Sequence, residues 1–280
     1  MSMKLGDFEL TALRDGFFRL DGGSMFGVVP RTNWEKQKPP DERNRINLGL
    51  NVLLVQTPDA TLLLEAGIGE KVEGKGIDLY DLRQEEPLPA KLEALGVRPE
   101  DVDFVILSHL HLDHCGWSTR RQGEAWVPTF PKARYLLQSR EWEAAQKPDL
   151  RSRPSYDPRN YDALEQSGLL ALVDGDTQVV PGVKLRHTGG HTAGHQVTYL
   201  ESGGERLVFL GDIVPTFAHL RTNWHMGWDL WPLEVMARKE RLLQEALRSG
   251  DLLFFTHEDT AAFARLASDE KGGLLAVPVD

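Results

Sequence analysis

The sequence predicts an α+β fold in which two mixed β-layers are covered by helices, and three observations lead there. Apolar runs rich in Val, Leu, Ile and Phe are short and bounded by turn residues, as strands are. They arrive as strands first, then a helix, then strands and helices again, rather than in strict strand–helix alternation. No internal repeat or low-complexity tract breaks the 280 residues, a length that one sizeable core can serve. The expectation is a single domain over residues 1–280, with insertions near residues 22–46, 147–166 and 214–231.

Each element has its own signal. Phe8 to Leu20 alternates around Asp15-Gly16, which predicts a β-hairpin with a D-G turn. Gly22 to Pro30 is glycine-rich yet apolar, and Arg31 to Arg45 is polar and proline-containing, an insertion rather than a core element. Asn51–Val55 and Thr61–Glu65 read as two strands joined at Pro58-Asp59. Pro87 to Leu95 reads as a helix closed by Gly96. A central strand, Val102–Leu107, follows, then a strand at Arg134–Leu137 and a short helix near Glu141. Residues 147–166, rich in Arg, Pro, Asp and Tyr, read as a surface excursion. Strands resume at Thr177–Val180, Val183–His187, Gln196–Leu200 and Arg206–Leu210. Pro232 opens the longest helical pattern, with Leu233, Met236, Leu243 and Leu247 on one stripe and Gly250 at its end. Leu252–Thr256 is the last clear strand.

Composition narrows the class. Hydrophobic residues at 41% and charged residues at 26% are those of a soluble globular protein. A formal charge of -10 argues against nucleic acid as a partner, because phosphate binding needs a basic surface. One cysteine, Cys115, excludes an internal disulfide framework and fits a reducing compartment. The opening MSMKLGDFEL carries no secretory pattern, and no apolar run is long enough for a membrane span. A cytoplasmic enzyme acting on a small molecule, with no membrane partner, is the expectation.

The chemistry concentrates in Ser108-His109-Leu110-His111-Leu112-Asp113-His114, directly after the apolar run Phe104–Leu107. Three of the chain's nine histidines lie there. His187, His191 and His195 surround a second strand end, Asp212 follows a third strand, and His257 follows a fourth. Ionisable residues placed just beyond four apolar strands converge at one edge of a sheet. Imidazole suits zinc, and mixed imidazole–carboxylate sets suit zinc, iron or manganese. On an extended loop His109 and His111 point to one side and can grip one ion, while Asp113 and His114 turn toward a neighbouring position. A lone histidine is usually a structural group; so dense a set of His and Asp is not what packing requires.

The ordered set H-x-H-x-D-H, G-G-H-T-A-G-H-Q, L-G-D and F-F-T-H resembles the metallo-β-lactamase superfamily over nearly the whole chain. The resemblance implies a four-layer αββα sandwich with the metal site at one edge of the β-layers. It implies that His109, His111 and His191 hold one ion, that Asp113, His114 and His257 hold a second, and that Asp212 bridges both. Two Zn2+ ions would share a bridging hydroxide, with Fe or Mn as alternatives. Asp113 and Asp212 are the candidate catalytic proton carriers. Glu65 stands where the family usually has aspartate and, like His195, is expected to orient ligands from behind.

A bridging aspartate is the pattern of the superfamily's lactonases, thioesterases and phosphoesterases, not of true β-lactamases. Gly22–Pro30, the insertion ending DERNR and Pro215–His219 resemble the branch of quorum-quenching N-acyl-homoserine lactonases. That branch implies opening of a lactone or carboxylic ester, with an apolar pocket for the acyl chain. The alternatives are a phosphotriesterase, a glyoxalase II-like thioesterase and, further off, an iron-dependent persulfide dioxygenase. The branch also makes the Met25–Arg45 region a candidate homodimer contact. Pro215 departs from the pattern, since known lactonases carry a tyrosine there that polarises the carbonyl. His219 and His225 are the nearest replacements in sequence. Met25, Phe26, Phe217, Trp224 and Trp228 are candidate apolar walls for substrate, or packing for the lid.

Overall fold

The structure is a computed structural model and describes residues 1–279. Its first sheet begins with β1 (Ser2–Leu5), β2 (Phe8–Asp21), β3 (Arg45–Gln56), β4 (Thr61–Leu64) and β5 (Phe104–Ile106) side by side. A separate hairpin, β6 (Thr119–Gln122) with β7 (Ala125–Pro128), leaves the sheet before β8 (Arg134–Gln138) and β9 (Leu170–Val173) complete it. The second sheet runs in chain order through β10 (Thr177–Val180), β11 (Val183–His187), β12 (Gln196–Ser202), β13 (Glu205–Phe209), β14 (Leu252–Phe254), β15 (Phe263–Ser268) and β16 (Leu274–Pro278).

The strands' two-residue side-chain period sorts the core into layers. Leu53, Val55, Leu62 and Leu64 face Leu185, Leu200, Leu207 and Phe254, filling the space between the sheets. Their neighbours Val52, Leu54 and Leu63 point the other way, onto Leu88 and Leu92 of the helix Leu88–Ala94 and Trp142 of the helix Ser139–Gln146. On the far side Val208, Leu253 and Phe255 meet Val235, Leu243 and Ala246 of the helix Pro232–Ser249. Helix, sheet, sheet and helix thus stack in four layers, as the sequence leads one to expect.

Four expectations are corrected. Phe8–Asp21 is one continuous strand, paired with β3 along its length and bulged between Arg14 and Gly16. Asp15-Gly16 makes no turn because the buried Asp15 carboxylate accepts from Ile68 N, Gly69 N and Trp117 Nε1, at 2.9, 3.3 and 2.8 Å. Burial pushes that carboxyl up to about 6 against those donors. In residues 147–166, Tyr156, Tyr161 and Leu164 are buried in the core, so this stretch is more than a surface excursion. The buried stripe of the long helix is Val235, Lys239, Leu242, Leu243 and Ala246, while Leu233 is exposed. β15 and β16 extend the second sheet past Leu252–Phe254, which is not the last strand.

Strand direction places the site. β4 and β5 pair in parallel, as do β13 and β14, so their carboxyl ends open on the same edge. Glu65 follows β4, Ser108 to His114 follow β5, Asp212 follows β13 and His257 follows β14. The sheets are joined there by Gln196, whose N–H donates to Ser108 O and whose side-chain amide donates to Leu107 O.

Candidate metal centre

Two groups of donor atoms meet at this edge. His109, His111, His191 and Asp212 form one, and Asp113, His114 and His257 the other, with ligand atoms within 4.8 Å of one another in each. Asp212 stands between them. Its Oδ2 lies 3.3 Å from His191 Nε2 and 3.5 Å from His114 Nε2, and its Oδ1 lies 3.3 Å from His257 Nε2. Asp113 Oδ2 is 3.5 Å from His257 Nε2. Gly211 gives Asp212 this position: at φ +51° it is left-handed, and a Cβ there would come within 2.6 Å of His195 Nε2.

The far side of three of these imidazoles is held by another group. Ser108 Oγ bonds His109 Nδ1 at 2.9 Å, Asp229 Oδ1 accepts from His191 Nδ1 at 2.8 Å, and Gly49 O accepts from His257 Nδ1 at 2.9 Å. Such partners fix the tautomer and aim the other nitrogen inward. Glu65 adopts φ +68°, uncommon for a side chain with a Cβ. In that position its Oε1 accepts from Ser108 N at 3.1 Å and faces His114 Nδ1 at 3.7 Å. His195 Nε2 accepts from Asp212 N at 3.0 Å, and its Nδ1 bonds Thr188 Oγ1 at 2.6 Å, so it supports the Asp212 loop from behind. Pro215 O accepts from His257 N at 3.0 Å.

Glu141 ties the two histidine loops together. Fully buried, it accepts from Leu110 N at 3.0 Å and Tyr156 Oη at 2.9 Å through Oε1. Through Oε2 it accepts from Thr192 Oγ1 at 2.5 Å and Gly194 N at 3.1 Å. A Cβ on Gly194 would lie 2.2 Å from Glu141 N, which is why glycine stands there.

The electrostatics call for cations. Burial, then the neighbouring histidines, hold His109 and His111 well below the ordinary imidazole value. Burial works to lower His114 too, yet Asp212, Asp113 and Glu65 hold it well above. Burial works to raise Asp212, but His114, His257 and His191 hold it well below the usual carboxylate range. His109 Nε2 and Asp212 Oδ1 are buried with no hydrogen-bond partner among the described residues. Orphaned lone pairs aimed at a common point are costly unless something positive sits there, and the donor set fits a divalent metal.

A cavity of about 150 Å³ opens over this cluster. His111, Asp113, His191, Asp212 and His257 line it, with Phe18, Leu20, Ile68, Leu112, Met226 and Trp228 as its apolar wall. Among the described residues no lysine or arginine lines it. Of the residues expected to meet substrate, Met25 and Trp228 are on the wall; Phe26, Phe217, His219, Trp224 and His225 are not. Phe26 is stacked against Trp34 at 5.2 Å and His219 at 4.7 Å, with Trp224 edge-on at 5.5 Å, so these rings pack behind the wall. Phe217 meets Phe255 at 4.8 Å. His219 has both nitrogens engaged, on Thr216 Oγ1 at 2.8 Å and Met25 O at 2.8 Å. His225 Nδ1 donates to Met226 O at 2.9 Å. Cys115 is buried, its Sγ donating to Leu110 O and His111 O, and burial pushes its thiol well above the ordinary value.

Sequence reasoning missed Glu141, Asp229 and the cavity residues Phe18, Leu20, Ile68 and Tyr80. Glu141 and Asp229 act across 51 and 38 positions, on Thr192 and His191, and no local spacing marks them. Phe18 and Leu20 lie on β2, whose alternation reads simply as core, while Ile68 and Tyr80 lie in the stretch after β4, where no motif stands out.

The family model described as the metallo-beta-lactamase superfamily matches residues 47–257. An N-acyl homoserine lactonase from Bacillus cereus is 30% identical over 227 residues, 77% of this chain and 83% of that protein. The solved structure of a probable metal-dependent hydrolase from Staphylococcus aureus gives a TM-score of 0.91 at 32% identity, covering 99% of each chain. AidC, a dizinc quorum-quenching lactonase solved with a product, gives a TM-score of 0.82 at 20% identity, covering 100% of this chain and 97% of that one, a likeness of fold. The chain belongs to the metallo-β-lactamase superfamily. It is a metallo-hydrolase of that superfamily, related to N-acyl homoserine lactonases and carrying a His/Asp metal-binding cluster. Among the described residues no helix is long and apolar enough to cross a membrane.

Proposed function

We propose that the protein is a dinuclear, zinc-dependent hydrolase that opens a neutral lactone or carboxylic ester, with N-acyl-homoserine lactones the favoured substrates. The observation that carries this reading is an apolar cavity lined, among the described residues, by no lysine or arginine and floored by five of the seven converging His and Asp side chains. His109, His111 and His191 would hold one ion, Asp113, His114 and His257 the other, and Asp212 both. Bound there, the ions would lower the pKa of a shared water toward neutrality and polarise the substrate oxygen.

The chain's own residues account for the rest. Water adds to the carbonyl carbon, the π pair moves onto the carbonyl oxygen, and the ester C–O bond then breaks. Asp113, at the cavity floor, takes the proton that water gives up and returns it to the leaving alkoxide. The apolar wall of Phe18, Leu20, Met25 and Trp228 holds an acyl chain and excludes bulk water from the carbonyl. The same lining weighs against a glutathione thioester, whose carboxylates call for cationic partners. The complete second ligand set weighs against a single-iron persulfide dioxygenase. A neutral phosphotriester suits a cavity without cations equally well, and that is the second reading.

A pH-indicator assay across acyl-homoserine lactones, aryl esters, thioesters and phosphotriesters tests the proposal. Lactone turnover that rises with acyl length is expected. Silence on every lactone and ester, with clear phosphotriester turnover, transfers the assignment to the second reading.

A further inference from the structure

Adding water to a carbonyl puts negative charge on the carbonyl oxygen, and a hydrogen-bond donor facing that oxygen lowers the barrier. Two side-chain hydroxyls line the cavity, those of Tyr80 and Ser155. A phenol is the more acidic and stronger donor, and it is protonated at neutral pH. The five tyrosines of this chain differ in one respect. Tyr135 Oη donates to Ser118 O, Tyr156 Oη to Glu141 and Tyr161 Oη to Ala145 O, while Tyr199 lies away from the cavity with Arg186 over its ring at 4.4 Å. Tyr80, half-buried on the cavity wall with Asp113, has no hydrogen-bond partner for its hydroxyl among the described residues.

The backbone that carries Tyr80 is held on both sides. It is the last residue of the short helix Lys75–Tyr80. Arg45 Nη1 donates to Asp78 O and Leu79 O at 3.0 and 3.1 Å, just before it. Asp81 pairs with Arg19 at 3.2 Å, and Arg83 exchanges two backbone hydrogen bonds with Phe17, at 2.9 and 2.8 Å. The Tyr80 ring packs against the same apolar cluster as Leu112 and Trp228. A donor fixed in this way loses little freedom on meeting substrate, which is what preorganised stabilisation requires.

We propose that Tyr80 is a catalytic residue of the hydrolase, its phenolic O–H donating to the substrate carbonyl oxygen as water adds. This rests on the ester-hydrolase reading above. As the new C–O bond forms, the π pair moves to the carbonyl oxygen and the phenol's hydrogen bond to it shortens. When the π bond re-forms, the ester C–O bond breaks and the phenol keeps its proton, so tyrosine is unchanged over the cycle.

Tyr80→Phe keeps the ring and removes the donor. On a lactone that the native enzyme opens, kcat falls on the order of 100-fold, with KM changed by less than about threefold. Metal content and Tm stay at native values. A γ-lactam analogue, which keeps the carbonyl but resists hydrolysis, binds about three- to tenfold more weakly by calorimetry. Ser155→Ala costs less in kcat than Tyr80→Phe does. Native kcat and native lactam affinity in Tyr80→Phe overturn the assignment while leaving the hydrolase reading in place. So does a loss that comes with lower metal content or Tm, or one that follows Ser155→Ala instead. A native enzyme inert toward every lactone and ester overturns the hydrolase reading and this assignment with it.

Discussion

Replacing Glu141 by Gln changes one atom and disturbs both histidine loops. The carboxylate accepts four hydrogen bonds, two from the loop that carries His191, one from Leu110 between His109 and His111, and one from Tyr156. An amide offers one acceptor oxygen, so two donors would face an NH2 group with no room to turn away. Each lost hydrogen bond to a buried charge is worth about 1.5–3 kcal/mol, so the cost is about 3–5 kcal/mol after partial relaxation. For a chain of this length that lowers Tm by about 6–10 °C. The displaced loops carry His109, His111 and His191, so metal should also leave faster to chelator, its affinity falling by about 10- to 100-fold. Differential scanning calorimetry and chelator competition read the two effects on one preparation. Native Tm with native metal retention in Glu141→Gln would refute the claim that this carboxylate couples the loops.

Asp229→Asn leaves His191 Nδ1 without its carboxylate, and metal affinity should fall by about 10- to 100-fold with little change in fold, read by competition with a colorimetric chelator. Asp212→Asn should lose dinuclear occupancy and turnover together; retention of both would make the bridging role wrong. The pH dependence of stability follows from His219, which burial holds down at about 3 in the folded chain. Unfolded, it is protonated below about 6.5, so the unfolded state binds the extra proton. Stability is then lost as pH falls below about 6.5, at about 1.4 kcal/mol per pH unit until the folded value is reached. His219→Gln should remove that slope, compared with the native chain by urea unfolding of metal-stripped protein at pH 6.5 and 5.

What was legible in the sequence was local. The strand ends at Leu107, Phe209 and Phe254 carry their polar residues within a few positions, so composition and order alone brought out the histidine and aspartate clusters. Two β-layers covered by helices followed from the order of short apolar runs, and the four-layer stacking from the resemblance to the superfamily. What was not legible depends on distance or on a competing side chain. Asp15-Gly16 has the form of a hairpin turn, yet the Asp15 carboxylate is needed inside by Ile68, Gly69 and Trp117, and the strand bulges instead. Phe26 and the aromatic residues after Asp212 read as substrate wall or as packing, a choice that spacing leaves open, and Phe26, His219 and Trp224 take the second role, packing on one another behind the wall. The helix stripe was misread because Lys239 is buried, its Nζ donating to His219 O at 3.1 Å and to Trp224 O.

The central claim is that seven side chains at one sheet edge hold two ions that open a neutral ester together. Titration of metal-stripped protein with Zn2+, following bound metal and lactone hydrolysis on the same samples, tests it most directly. Two equivalents per chain, with turnover rising mainly as the second is bound, is the predicted result. Full turnover with one equivalent, or with none, would contradict it.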